Sequence, residues 1–368
     1  MSTQLPSPVL VLTNQLTVGG AEVYVVGVSR WLAEHGVRVA VAATPGPLVE
    51  RLHPDVDYHP IPLRDVRAGL PLAAHRVRRI IRTLQPKVIL ANSLVTAWVG
   101  RLAGARERIP VVEVAHGWPV ERYKVVAPLM RVNDRVVPVS AEVERRLRDG
   151  RLPERFLARV DNGVDLAPFA PLSDAERGKV RAEELGAGPE HVVVTSTGRF
   201  TAQKAHHHII DLAARLAPKH PNLRFVLIGY GEREAELREL IAAAGVQERV
   251  RLLLHRSDVP RLLLGSDIFL NCSDWEGMPL STIEAMGAGL PLVCTGTEGI
   301  GALVPDAAHG RVAPVGDVSG LAAALDELAG DGSLRTSLGD AARARAHERF
   351  SLDRMCRELV GVLAGVIA

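Results

Sequence analysis

Short aliphatic runs recur along the chain and alternate with stretches whose apolar positions fall three and four residues apart. The runs are nearly continuous in Val, Leu, Ile and Ala, as parallel strands buried on both faces require. In the first half they predict strands at 9–14, 37–42, 87–93, 111–116 and 136–140. Between the first two, VGGAEVYVVGVSRWLAEHG places Val23, Val26, Trp31 and Leu32 near helical spacing, and Gly36 ends that helix. The pattern then restarts, with strands predicted at 191–197, 224–228, 250–254, 268–271 and 292–294. Strand–helix alternation repeated in this way predicts an α/β chain built on doubly wound parallel sheets.

The stretch NGVDLAPFAPLSD (162–174), rich in Pro and Asp, reads as a linker. It predicts two Rossmann-like domains, 1–165 and 166–350, followed by a final segment, 351–368. Ligands of such sheets lie beyond the carboxyl ends of the strands, and two such domains would place a site in the cleft between them.

Composition narrows the class. Hydrophobic residues are 47% and charged residues 23% of the 368, which excludes a disordered chain. Aromatic residues are 4%, so the cores must be aliphatic. Cys272, Cys294 and Cys356 are odd in number and follow no metal-ligand spacing, so reduced, buried thiols and a cytoplasmic setting are expected. No signal peptide is expected at the N-terminus, and the apolar ending LVGVLAGVIA is about half the length that spans a bilayer. The net charge of +2 conceals an asymmetry: residues 1–165 hold 23 Lys and Arg against 16 Asp and Glu, the remainder 21 against 26. A basic first half favours an anionic partner. Nucleic acid is not expected, because the basic residues are not interleaved with aromatics in any binding motif.

Candidate chemistry concentrates in SDWEGMPLSTIEAMGAGLPLVC, 273–294. A predicted strand ends at Asn271, Glu276-Gly277-Met278-Pro279 form a loop, and a helix starts near Leu280. Its first amides form a ready site for a diphosphate. Glu284 lies about one turn into the helix, eight positions after Glu276, so the two carboxylates can address different parts of one ligand. On spacing alone, a solvated helix glutamate and a turn glutamate account for them equally well.

This arrangement, with EGMPL and EAMGAGLP around it, resembles the signature of retaining GT-B glycosyltransferases of family 4. Further matches follow in the family's order: VGGAE at 18–22, HG at 116–117, VSAEV at 139–143, NGVD at 162–165, GRFTAQK at 198–204 and IGYGE at 228–232. The resemblance implies a GT-B fold, with an acceptor-binding first domain, a donor-binding second one and a last helix, within 351–368, that crosses back to the first. It implies transfer of a hexose or related sugar from a nucleoside diphosphate, UDP first among them, to an acceptor hydroxyl. No cofactor and no metal are expected. The acceptor would be a sugar, a lipid or a natural product, and weak peripheral membrane contact at the inner face is compatible with it.

Roles follow by resemblance. Gly19 and Gly20 would approach the donor diphosphate or the acceptor, although a Gly pair before a helix is ordinarily a tight turn. Arg199 and Lys204, next to Gly198, resemble the pair that neutralises the leaving diphosphate. Glu284 resembles the carboxylate that holds the donor ribose, Glu276 the one that touches the transferred sugar, and His116 the histidine beside that sugar. Gly277, Met278, Pro279 and Leu280 would line the donor. Leu254, His255 and Arg256 occupy the base-pocket positions, where the family commonly has a Gly-aromatic pair.

Two other positions depart from the family. Lys204-Ala205 replaces Lys-Gly, which is expected to be a harmless change at a helix start. Glu298-Gly299 replaces Gly-Gly, so the Glu298 carboxylate is expected to face the donor sugar. Asp55-Val56-Asp57 imitates a metal motif but is expected to hold none. His206-His207-His208 is read as helix-face histidines, and 75–82 as a basic amphipathic helix with a solvated face. A sugar-nucleotide epimerase of the same fold and a non-catalytic sugar-nucleotide-binding protein are the alternatives.

Overall fold

The computed structural model describes residues 5–62 and 66–367, the side chains of 66–69 excepted. The chain forms two compact units, Met1–Val164 with Leu352–Ala368, and Asp165–Ser351.

The first unit holds six strands: β1 (Val9–Gln15), β2 (Val39–Thr44), β3 (Val56–Pro60), β4 (Val88–Ala91), β5 (Val111–Ala115) and β6 (Arg135–Pro138). They pair in parallel in the order β3-β2-β1-β4-β5-β6. β1 is central, with Val9 opposite Val39 on one side and Val88 on the other. The helices are α1 (Gly20–Glu34), α2 (Val66–Leu84), α3 (Leu94–Gly104), α4 (Tyr123–Leu129) and α5 (Ala141–Asp149). Layers on both faces bury strand side chains of both parities, which is why β4 reads as an unbroken aliphatic run, β1 opens on VLVL, and β5 is aliphatic but for the buried Glu113. On one face Leu10, Leu12, Ile89 and Val111 pack with Val77, Ile81 and Val99 from α2 and α3. Each such side chain contributes about 1.5–3 kcal/mol. Ser93 and Ser140 cap α3 and α5, so strand, cap and helix follow one another with no long loop.

The C-terminal helix Leu352–Ile367 belongs to this unit. Trp31 Nε1 donates to Asp353 Oδ1 at 3.1 Å, the Leu352 amide donates to the Val164 carbonyl at 2.8 Å, and Arg354 donates to the Asp161 carbonyl at 2.6 Å.

The second unit repeats the plan with β7 (Val192–Thr197), β8 (Leu223–Gly229), β9 (Val250–Leu254), β10 (Ile268–Asn271), β11 (Leu292–Thr295) and β12 (Arg311–Ala313). The order is β12-β11-β10-β7-β8-β9, again parallel. Its main core joins Phe225, Leu227, Ile268 and Leu270 to Ile209, Leu212 and Leu325.

Two strands, β3 and β12, escape the sequence pattern, and both are sheet edges. β3 reads VDYHP with only Val56 buried, and β12 is the three residues RVA. An edge strand is covered on fewer sides, so it needs no continuous aliphatic run. All three cysteines are free and buried. No helix of the described residues is long and apolar enough to cross a membrane.

Candidate active site

In the second unit, β7 and β8 deliver two turns that touch backbone to backbone. A Cβ on Gly229 would lie 1.9 Å from the Gly198 carbonyl oxygen, so only glycine allows the approach. Beyond Gly198, Arg199 is exposed, and the chain enters a single 3-10 turn, Ala202–Lys204. Ala205 closes that turn in the left-handed region, at φ 47° and ψ 38°, with its methyl fully buried. Ala205 therefore stands at the close of a 3-10 turn and not at a helix start. An alanine sits there where glycine is the unstrained residue.

The loop after β10 folds over this turn. The Asp274 amide donates to the Gln203 carbonyl at 2.9 Å, and Gln203 Nε2 donates to the Trp275 carbonyl at 2.9 Å. So held, Lys204 Nζ donates to Glu276 Oε1 at 2.5 Å, and Ser273 Oγ donates to the same oxygen at 2.9 Å. Both side chains of the ion pair are largely buried, at 18% exposed for Lys204 and 10% for Glu276. A pair this enclosed interacts more strongly than a surface one, and removing either partner leaves the other charge poorly solvated.

Gly277, Met278 and Pro279 continue buried into the helix Leu280–Gly287, whose N-cap, Pro279, has no side chain able to cap it. The positive end of the helix is thus left to other acceptors. Glu284 sits half-buried at the fifth position of that helix. The loop is pressed against Gly299, where a Cβ would lie 2.4 Å from the Gly277 carbonyl oxygen. Glu298 Oε2 accepts from the Glu276 amide at 3.1 Å, so one of its oxygens braces the loop rather than standing clear of it.

At the end of β9, Leu254 is half-buried and His255 is exposed at φ 51°. The His255 ring stacks on Tyr230, with centroids 4.4 Å apart and planes at 25°. Arg256 is bound on two sides, to both oxygens of Asp258 at 2.8 and 2.6 Å and to Glu184 at 2.9 Å. Its charge is matched within the protein by these two carboxylates.

In the first unit, Gly19 is the N-cap of α1 in extended conformation, without a side-chain cap, and Gly20 opens the helix. His116 directly follows β5. Its Nε2 lies 2.6 Å from Asn92 Oδ1, and its ring meets Tyr24 edge to face at 5.3 Å. Burial pushes the His116 pKa down to about 4, so the ring is neutral at physiological pH. Asn92, Thr13 and Tyr24 carry no motif and are not singled out by sequence. The one signal is a buried polar residue, Asn92, set at the end of an aliphatic run.

The remaining candidates fall outside these clusters. Asp57 Oδ2 meets Arg38 at 3.6 Å and Asp55 meets His53 at 3.7 Å. Among the described residues no group of three potential ligands could hold a metal. His206 is not on a helix face: it is buried edge-on against Phe200, one residue before the helix His207–Leu216 begins. His207 and His208, contrary to the expected divergence of consecutive side chains, lie with ring centroids 4.0 Å apart.

Two doubly wound parallel sheets of this order are the elements of a GT-B fold, and the comparisons identify the chain as a glycosyltransferase. Residues 181–345 match the family model for glycosyl transferases group 1, and residues 18–168 match that for glycosyltransferase family 4. The chain is 31% identical to the D-inositol 3-phosphate glycosyltransferase of Salinispora tropica, over 95% of this chain and 82% of that protein. It is 26% identical to an Escherichia coli UDP-Gal:alpha-D-GlcNAc-diphosphoundecaprenol alpha-1,3-galactosyltransferase, over 69% of each. Anabaena HepE, solved with UDP and glucose, superposes with a TM-score of 0.85 at 22% identity, covering 98% of this chain and 100% of that one. The chain belongs to the family 4 glycosyltransferases and is a glycosyltransferase enzyme.

Proposed function

We propose that the chain transfers a hexose or related sugar from a UDP-sugar to an acceptor hydroxyl, with retention and without a divalent metal. The observation that carries this is the Lys204–Glu276 pair beside the uncapped start of the Leu280–Gly287 helix. Lys204, Arg199 and the helix amides meet the negative charge that grows on the leaving diphosphate. Glu284 holds the ribose hydroxyls. Glu276, fixed by Lys204 and Ser273, acts as a hydrogen-bonding carboxylate for the transferred sugar, which argues against a covalent intermediate on it. The acceptor oxygen bonds to the anomeric carbon on the face the diphosphate leaves, and its proton passes to the departing phosphate oxygen. UDP is favoured because HepE was solved with UDP-glucose and the E. coli relative is named for a UDP-galactose donor.

The first unit, in this reading, takes the acceptor. Residues 66–104 hold seven Arg and Lys and no Asp or Glu. Leu72, Trp98 and Leu102 are exposed on α2 and α3, and Arg78 joins the two helices by donating to the Leu102 and Ala103 carbonyls. Basic and apolar groups side by side suit an anionic membrane surface.

Released UDP and product anomeric configuration, followed for several UDP-sugars with pooled acceptors, test the reaction. An α-linked product from an α-linked donor in EDTA is expected. An inverted product, or activity lost in EDTA and restored by Mn²⁺, overturns it. Flotation with phosphatidylglycerol vesicles tests the surface: binding at low salt that high salt reverses is expected, and no binding at low salt removes the membrane from the reading.

A further inference from the structure

Asn92 lies just past β4 and is 5% exposed, so its carboxamide must satisfy its hydrogen bonds within the protein. Its Nδ2 donates to the Ala21 carbonyl at 2.8 Å and to Thr13 Oγ1 at 3.3 Å. A backbone carbonyl only accepts, so the Ala21 contact fixes which end of the amide is nitrogen. The oxygen therefore faces His116 Nε2 at 2.6 Å, and that nitrogen must carry the proton. In a neutral imidazole the other nitrogen, Nδ1, is then a bare acceptor. Among the described residues no hydrogen bond engages it.

We propose that Asn92 is a positioning residue that locks His116 as the Nε2–H tautomer, so that Nδ1 accepts a hydrogen bond from a hydroxyl of the bound sugar. The idea rests on the reading that His116 meets the transferred sugar. It adds which atom does so, in which direction the proton points, and what holds it. The lock is built from three segments: the end of β1 gives Thr13, the first turn of α1 gives the Ala21 carbonyl, and the end of β4 gives Asn92 itself. The GG turn that opens α1 therefore sets the histidine as well as its own amides. Burial is the cause that moves the His116 pKa, and the titratable side chain packed on the ring is Tyr24, whose hydroxyl burial keeps neutral. The imidazole thus stays neutral well below pH 6.5, and a donor at Nδ1 appears only in acid.

Long-range ¹H–¹⁵N spectra of histidine-labelled wild-type protein read the tautomer directly. A protonated Nε2 and an unprotonated Nδ1, held down to at least pH 5.5, are expected. An Nδ1–H form, or titration near the ordinary histidine value, overturns the proposal whatever the donor proves to be. Asn92→Asp tests the consequence. A carboxylate still accepts from Nε2–H but favours the imidazolium, which puts a proton on Nδ1. With UDP release from UDP-glucose, UDP-galactose or UDP-N-acetylglucosamine, whichever gives the largest signal, kcat at pH 5.5 should fall roughly severalfold or more against wild type, because a neighbouring carboxylate raises a pKa of about 4 by about 1–3 units. It should recover as pH rises, because the acid limb of the profile moves to higher pH. A purely structural Asn92 would lower kcat evenly at every pH and leave that limb in place, which would overturn the positioning role. Spectra showing the expected tautomer beside an unshifted limb would instead place the fault in the reading of His116 as a sugar contact.

Discussion

The two units repeat one strand order and fill the ends of their strands with opposite electrostatics. In the second unit a cation and a carboxylate, Lys204 and Glu276, lie 2.5 Å apart next to a helix start with no side-chain cap. In the first unit His116, Asn92 and Thr13 form a neutral chain of hydrogen bonds. Even the buried carboxyl of that unit, Glu113, is kept neutral: burial pushes its pKa up to about 8, and only the Asn133 side chain, donating at 2.5 Å, opposes it. The same topology thus presents charge where a diphosphate is proposed to leave and neutral donors and acceptors where hydroxyls are proposed to bind. Fold alone does not decide chemistry; the groups set on its strand ends do.

The largest test of this contrast removes its charged half. Lys204→Ala should lower turnover by about 2–4 kcal/mol of barrier, roughly thirty- to a thousandfold, with a smaller change in UDP affinity. Glu276→Ala should lower turnover too, yet leave UDP affinity unchanged or higher, because Lys204 loses the partner it now holds. Glu284→Ala, in contrast, should weaken UDP about ten- to a hundredfold. Calorimetry with UDP on the three variants decides it. If Glu276→Ala weakens UDP as Glu284→Ala does, the two carboxylates share one task and the proposed division fails.

The neutral half is tested by pH. Glu113 binds a proton in the folded chain near pH 7 but not in the unfolded one, whose carboxyl titrates near 4.5. Its contribution is therefore full below about pH 4.5 and is lost as pH rises towards 8. Glu113→Gln keeps an acceptor for Asn133 and removes the titration. The difference in unfolding free energy between wild type and variant should move by roughly 3–4 kcal/mol in the variant's favour from pH 5 to 8. Parallel stability curves across that range would show Glu113 to be ionised in the fold.

Sequence reading reached the central strands and the helix at Leu280 because burial on both faces leaves a continuous aliphatic record. It missed β3 and β12, a polar edge and a three-residue one, whereas the edges β6 and β9 keep enough aliphatic residues to be read. Among site residues, those within motifs were legible as positions, while their partners were not. Nothing near Lys204 in sequence indicates Glu276, which stands 72 residues away and is brought in by the parallel pairing of β7 with β10. Asn92, Ser273 and Tyr230 act through contacts that the fold alone creates. Arg256 shows the same limit, since its pairing with Asp258 and Glu184 is visible only in three dimensions.

The smallest effect concerns Ala205, next to the lysine on which the charged half depends. Three terms act when it becomes glycine. Relief of the left-handed conformation favours the variant by about 1–2 kcal/mol. Loss of a fully buried methyl opposes it by about 0.8 kcal/mol. The greater freedom of glycine in the unfolded chain opposes it by a further 0.4–1 kcal/mol or so. The terms nearly cancel, so Ala205→Gly should shift unfolding free energy by less than about 1 kcal/mol and leave turnover close to wild type. Denaturant unfolding together with UDP release measures both. A gain above about 2 kcal/mol accompanied by lower turnover would mean that the strained turn itself presses Lys204 against Glu276, and the charged half of the comparison would then depend on backbone strain as well as on the ion pair.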